Sequence, residues 1–301
     1  MTNPAGEKVI LVTGAGGMAG RAIMDVLGRR HICIGLSGQS CPPGIRSDRW
    51  KRLNILDDTE LAGVVQETRP DAIVHAASSV FVNECERPSE REKIYDLHVR
   101  LTRSLVEHSR QQEASLVYIS TESVYDGAKH GLYIESDATR PLNYYAQTKL
   151  EGEYEVREWS KGLTLRTNIL GWRTDGRMSF MEWVLDGLKK CERRTMLTDV
   201  TFSPVSTYHL ADDIGACIER EISGLYHAGG ATSVSKFDLA RKLALKLDLD
   251  SSVLTPVTMD QIKMGAARPK NTSLDSSKLA SILGKPRPTI DESIDRFLAR
   301  R

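Results

Sequence analysis

Tyr145 and Lys149 stand four residues apart in Tyr145-Ala146-Gln147-Thr148-Lys149, a spacing that puts both on one face of a helix. A neighbouring ammonium favours phenolate over phenol, so the pair lets a weak acid exchange protons near neutrality. In a chain with 41 Lys+Arg most such pairs are solvated surface. This one gains weight from what precedes it: a glycine loop near the N-terminus and a run that ends in Ser120-Thr121. Thr121 can hydrogen-bond a substrate oxygen, and Tyr145 can give that oxygen a proton or take one back. Tyr144 competes with Tyr145, but only Tyr145 has the four-residue spacing to a lysine.

The glycine loop is Gly14-Ala15-Gly16-Gly17-Met18-Ala19-Gly20, preceded by the apolar, β-branched run Lys8 to Thr13 and followed by a helical pattern to about Arg29. Strand, glycines and helix in that order form a dinucleotide-binding fingerprint. Gly14 permits the sharp turn, Gly17 lets backbone approach a pyrophosphate, and Gly20 lets helix and sheet pack closely. Met18 and Ala19 open the helix, whose free N–H groups point at the phosphate. Lys149 then holds nicotinamide ribose hydroxyls and biases Tyr145.

A carboxylate at the end of the second strand would grip the ribose of NAD. The sequence there is Gly35-Leu36-Ser37-Gly38-Gln39, with Ser37 where the acid would stand. Without an acid to repel a 2′-phosphate, NADP(H) is the preferred cofactor and NAD(H) the alternative. Arg46 and Arg49 either reach that phosphate or solvate a loop. Asn54, with Ile55 beside it, either contacts adenine or shapes a turn.

These residues need a frame. His31 to Leu36, Trp50 to Ile55, Ala72 to Ala77, Ser115 to Ser120 and Leu163 to Ile169 read as strands. Helical patterns over Thr59–Thr68, Glu90–Arg110 and Asn143–Trp159 alternate with them. The alternation predicts an α/β fold: a Rossmann-type, doubly wound parallel sheet with right-handed crossovers. After residue 170 the rhythm changes. Residues 1–170 are expected to form an NAD(P)-binding domain, which 203–228 rejoins. Residues 171–301 are expected to be mainly a smaller substrate lobe.

At 40% hydrophobic and 27% charged, the chain reads as an ordinary globular protein. A formal net charge of +1 offers nucleic acid or an anionic membrane no field. No apolar run approaches the ~20 residues that span a bilayer. Met1-Thr2-Asn3-Pro4 lacks a secretory pattern, and five scattered cysteines without CxxC spacing favour a reducing, cytoplasmic setting. Cys33 and Cys217 read as core fillers. No metal site is expected: Asp212-Asp213 are read as favourable charges at a helix start, and His209 and His227 as packing or hydrogen-bonding groups. Met259 and Met264 are expected in the lobe core, and Trp159, Trp172 and Trp183 between lobes.

Further stretches match in order along nearly the whole chain: PDAIVHAAS (70–78), CERP (85–88), YISTESVYDG (118–127), YIESD (133–137), PLNYYAQTKLEGE (141–153), FSPVSTYHLADDI (202–214), GLYHAGG (224–230) and ARPKNTSLDSSKL (267–279). With TGAGGMAG (13–20), they resemble the dTDP-4-dehydrorhamnose reductase family of the extended short-chain dehydrogenase/reductase superfamily. The resemblance implies an NAD(P)H-dependent reductase of a nucleotide-activated 4-keto-6-deoxysugar, with Thr121, Tyr145 and Lys149 catalytic. It implies that His75, Ala76, Ala77 and Ser78 line the cofactor, that the C-terminal lobe holds the sugar nucleotide, and that a homodimer forms through helices of the sheet domain. Ser79, Glu122, Asn168 and Arg268 are the substrate-side candidates, Arg268 for the pyrophosphate or as a surface arginine.

The chain departs from the family at His98, where asparagine is usual. His98 either substitutes as a hydrogen-bonding group or marks weakened chemistry. Ser79, Val80 and Ile169 alter the presumed sugar pocket. Two other classes stay open by resemblance: a regulatory subunit of the methionine adenosyltransferase beta type, and another extended-type dehydrogenase or epimerase.

Overall fold

The computed structural model describes residues 6–42 and 45–299, so Met1-Thr2-Asn3-Pro4 lie outside it. Six strands follow the sequence pattern closely: β1 (Val9–Thr13), β2 (Ile32–Ser37), β3 (Trp50–Arg52), β4 (Ala72–His75), β5 (Ser115–Thr121) and β6 (Gly162–Thr167). With Gly224–His227 they form a seven-stranded sheet in the order Gly224–His227, β6, β5, β4, β1, β2, β3. β1 pairs in parallel with both β2 and β4, and the order reverses around it, the feature that opens a ligand crevice at the strands' carboxyl ends. β3 is shorter than the expected Trp50–Ile55, stopping at Arg52. β4 ends at His75, which leaves Ala76 and Ala77 in the loop beyond it. Thr121 is the last residue of β5.

The chain divides into two compact units. The first comprises residues 6–120, 144–165 and 211–226, apart from the undescribed 43–44. Its core packs Leu11, Leu36, Ile73, Leu105, Leu116 and Tyr118 under the sheet, with Trp159 against them. The helical pattern over Glu90–Arg110 is not one regular helix. It runs as Arg91–Tyr95, a π-helical turn Asp96–Arg100, and Leu101–Gln112. The wide turn shifts the phase of the buried face, so His98 and Val99 are buried while Leu97 is half-buried. Such turns are frequent at functional sites.

The second unit comprises 121–143, 166–210 and 227–299. Thr201–Phe202 lies between Val234–Ser235 and Asn271–Thr272, and Arg194–Leu197 pairs with Leu254–Val257. Met181, Leu185, Phe202, Leu243, Ile294 and Phe297 are among the residues of its core. Trp172 stacks on Phe297 with ring centroids 4.5 Å apart, and Trp183 is exposed beside Arg194.

The helix that carries Asp212 and Asp213 starts at Thr207. Asp212 and Asp213 therefore lie beyond its first turn, and the reading of them as charges at the helix start is corrected. No helix among the described residues is long and apolar enough to cross a membrane. No group of His, Cys, Asp and Glu among them is arranged to hold a metal ion.

Candidate active site

In the first unit, the loop after β1 fits a dinucleotide. Gly14 has φ +63°, and a Cβ there would lie 2.6 Å from the Ala77 Cα. A Cβ on Gly20 would lie 2.2 Å from the Gly14 carbonyl oxygen. The loop, the following helix and the Ala76-Ala77 segment can meet only through these glycines. The helix Met18–Leu27 has Gly17 as its N-cap, with no side-chain cap and no acid in its first turn. Its leading N–H groups are therefore available to an anion. Thr13 ties the ends of β1 and β4 together: its hydroxyl pairs with His75 Nδ1 at 2.8 Å and accepts the Ala77 N–H at 3.2 Å.

Ser37 faces the same loop, since a Cβ on Gly16 would lie 3.5 Å from its hydroxyl and 3.2 Å from Gln39 Oε1. Its hydroxyl accepts the Gln39 N–H. Arg46 is paired with Asp48 at 2.7 Å, and Arg49 ends the short turn beside it. The cation beside Ser37 is Arg52, which the sequence pattern presented only as a strand residue. It lies opposite Ser37 in the β2–β3 register, and its Nε donates to the Gly38 carbonyl at 3.3 Å. Asn54 Oδ1 accepts the Leu56 N–H at 3.2 Å within a turn, and Ile55 is half-buried next to it.

Tyr145 and Lys149 both lie on the helix Tyr144–Arg157. Glu86, from the Cys85-Glu86-Arg87-Pro88 stretch, accepts the Tyr144 N–H at 2.7 Å and so anchors the start of that helix. Lys149 is 2% exposed. Its Nζ donates to the Ile119 carbonyl at 2.7 Å and sits 3.9 Å from the centroid of the Tyr118 ring. Burial pushes its pKa down to about 7, against the opposing effect of Glu153. Ser120 donates to that Glu153.

His98 is fully buried, and its ring stands edge-on to Tyr145 with centroids 5.8 Å apart. Its Nε2 lies 3.1 Å from the Ser79 backbone N–H and 3.0 Å from the Ser78 hydroxyl. An N–H only donates, so Nε2 is the acceptor and the ring proton resides on Nδ1. Nδ1 then donates to the Thr148 hydroxyl at 2.8 Å, and Thr148 donates on to the carbonyls of Tyr144 and Tyr145. Burial holds the His98 pKa well below the usual histidine value, with Lys149 and His75 adding to the effect. His98 is thus a neutral strut between the Ser78-Ser79 segment and the Tyr145/Lys149 helix. The contacts joining it to Ser79 and Thr148 cross long stretches of sequence, so no local pattern disclosed them.

Gly152 lets this helix sit where it does. A Cβ there would lie 2.4 Å from the Tyr118 hydroxyl and 2.6 Å from the His98 carbonyl oxygen. Alanine gains roughly 1 kcal/mol of helix propensity over glycine. Overpacking costs about 1–3 kcal/mol, and a backbone carbonyl retreats less readily than a side chain. Gly152→Ala is therefore expected to lower the thermal midpoint by several degrees. A midpoint equal to or above the parent's in a melting curve would refute the close approach.

In the second unit, Thr121 is buried, accepts the Ser123 N–H at 3.1 Å and donates to Glu122 Oε2 at 3.1 Å. Asn168 Nδ2 donates to Glu122 Oε1 at 2.6 Å. Burial raises the Glu122 pKa, offset by Asn168 first among its partners. Arg268 is exposed overall, yet crowding about its guanidinium lowers its pKa. Ser79 and Ser78 belong to the first unit with His98. His227 pairs with the Tyr125 hydroxyl at 2.8 Å and His209 with Ser206, as hydrogen-bonding groups.

A family profile described as RmlD substrate binding domain matches residues 8–301. A dTDP-4-dehydrorhamnose reductase from Bacillus anthracis, solved in complex with NADP, is 25% identical with a TM-score of 0.85, covering 98% of this chain and 100% of that one. A hypothetical dTDP-4-dehydrorhamnose reductase from Sulfolobus tokodaii is 30% identical with a TM-score of 0.82, covering 95% of this chain and 98% of that one. Methionine adenosyltransferase 2 subunit beta of Rattus norvegicus is 28% identical over 97% of this chain and 89% of its own length.

Proposed function

The chain belongs to the RmlD substrate binding domain family, and on that footing we propose that it is an NADP(H)-preferring reductase of a nucleotide-activated 4-keto-6-deoxysugar. The first unit is assigned to the dinucleotide and the second, with Glu122, Asn168 and Arg268, to the sugar nucleotide. The observation that carries the reading is the pairing, within the first unit, of an uncapped helix start behind the glycine loop with a buried Lys149 on the Tyr145 helix. Reduced nicotinamide, when bound, supplies the hydride. Tyr145 supplies the proton to the carbonyl oxygen, Thr121 hydrogen-bonds that oxygen, and Lys149 holds ribose hydroxyls and favours the phenolate that remains.

Two features support NADP(H) over NAD(H). No carboxylate stands at Ser37 to repel a 2′-phosphate, and Arg52 is its partner in the strand register, with its Nε on the Gly38 carbonyl. The Bacillus anthracis neighbour is itself in complex with NADP.

Purified protein with NADPH and a panel of 4-keto-6-deoxysugar nucleotides should consume the nicotinamide absorbance. Failure with every member of the panel, alongside tight NADPH binding, would favour the second reading. That reading is a dinucleotide-binding regulatory subunit, favoured by the likeness to methionine adenosyltransferase 2 subunit beta across nearly the whole chain. Against it, Thr121, Tyr145 and Lys149 are all present, and a subunit that only binds has no use for a proton donor.

A further inference from the structure

Tyr118 stands three residues before Thr121 on β5, and the sequence pattern gives it no role of its own. It is fully buried. Residues two apart on a strand share a face, and Tyr118 and Ser120 both meet the helix Tyr144–Arg157. Ser120 donates to Glu153, while Tyr118 touches Lys149 twice. The Lys149 ammonium lies over the Tyr118 ring, 3.9 Å from its centroid, and the Tyr118 hydroxyl donates to the Lys149 backbone carbonyl at 3.3 Å. One side chain therefore holds both ends of the lysine. Ile119, the next residue of β5, completes the seat with its carbonyl 2.7 Å from Nζ.

An enclosed ammonium is costly unless its charge is met. A carbonyl meets it with a partial charge, and the negative face of an aromatic ring adds most where water is excluded. We propose that Tyr118 is a positioning residue that seats Lys149: its ring keeps the buried ammonium charged, and its hydroxyl fixes the ring against the helix. This role rests on the reading of Lys149 as the group that holds ribose hydroxyls and biases Tyr145. An ammonium has three N–H donors. One goes to Ile119, the ring covers one side, and the others are left for hydroxyls. Tyr118 does not compete with Tyr145 as an acid, because burial pushes its pKa well above the usual tyrosine value, with Glu153 and Tyr145 adding to the effect. The other titratable groups in this field are Glu153 on the same helix, which acts to raise the Lys149 pKa, His75 at the end of β4 and His98 on the π-helical turn. Burial keeps both histidines neutral, so a pH response that follows position 118 reports Lys149.

The test needs no turnover. Phenylalanine and its mono-, di- and trifluorinated forms are placed at position 118, in the protein with Lys149 and in Lys149→Met. Ring fluorines keep the shape and drain the negative face. At pH 6 they are expected to lower the melting midpoint stepwise where Lys149 is present, by about 2–5 °C across the series, and to leave the Lys149→Met midpoints together. Tyr118→Met removes the ring altogether. Loss of a cation–π contact disfavours the charged lysine and lowers its folded pKa, which is the pH above which the lysine protein gains stability on its Lys149→Met counterpart. That onset, about 7 in the parent, should fall by about one pH unit in Tyr118→Met and stay near 7 in Tyr118→Phe.

Equal fluorine effects with and without Lys149 would overturn the proposal, since they mark a ring that only fills space. An onset unchanged or raised in Tyr118→Met would overturn it too, a rise being the mark of water in the ring's place. If Tyr118→Met does not fold, the fluorine series decides alone. With keto-sugars, kcat at pH 8 should fall about ten-fold in Tyr118→Met, as the ammonium fraction does, and regain most of that in Tyr118→Phe. A protein that couples position 118 to Lys149 and reduces no keto-sugar would sink the reductase reading while the seat stands.

Discussion

Tyr145→Phe should lower kcat for keto-sugar reduction about a hundred- to ten-thousand-fold, the usual loss when a positioned general acid is removed. The substitution is conservative for structure. Phenylalanine keeps the edge-on contact with His98, and the helix anchor at Glu86 involves only the Tyr144 backbone. The dissociation constant for NADPH should therefore stay near the parent value, and a fluorescence titration alongside the rate assay separates the two effects.

No neighbouring histidine is set to take over. His98 is neutral with both ring nitrogens engaged, and burial takes His75 down to about 3. Lys149, one helical turn from Tyr145, has a pKa that falls to about 7. Undiminished turnover in Tyr145→Phe would remove the proton-transfer role. In a regulatory subunit the same substitution would leave partner binding and NADPH binding alike untouched.

What the sequence displayed and what it withheld divide along a physical line. The glycine loop and the Tyr145/Lys149 pair are written in short-range spacing, because a strand-turn-helix and one helical turn each close within a few residues. Parallel strands buried on both faces announced themselves as β-branched runs, and their bounds moved by only a residue or two except at β3, which stops three residues short of Ile55. His98 is different. Its register depends on a π-helical turn that adds a residue to the buried face, and its function depends on Ser79 and Thr148, which only the fold brings near.

Arg52 was silent for a related reason. It looked like an ordinary strand residue until the β2–β3 register gave it surroundings. Asp212 and Asp213 misled because the helix begins directly after Ser206, before the apolar pattern starts.

Lys149→Met should abolish turnover and at the same time stabilise the protein below neutral pH. The lysine is almost wholly enclosed, and its pKa falls from 10.5 to about 7 on folding. Below pH 7 both folded and unfolded chains carry the proton, and the folded state bears the full cost of an enclosed ammonium, at most about 5 kcal/mol at 1.36 kcal/mol per pKa unit. Between about 7 and 10.5 the folded lysine is neutral while the unfolded one keeps its proton, so the unfolded state binds more protons and stability rises with pH. Above 10.5 the cost has gone.

Methionine fills the stem's space without the charge, but it leaves the Ile119 carbonyl unpaired, at roughly 1 kcal/mol. The variant should therefore melt several degrees above the parent at pH 6. Its advantage should shrink steadily from pH 7 to 10 and then vanish or reverse. Lys236, which burial brings down to about 8, titrates in both proteins and cancels from the difference. Parallel melting curves across that range would mean that Lys149 stays charged in the folded protein. Such a pH-dependent gain on replacing Lys149 by methionine would accord with the proposed role of its ammonium, one helical turn from Tyr145.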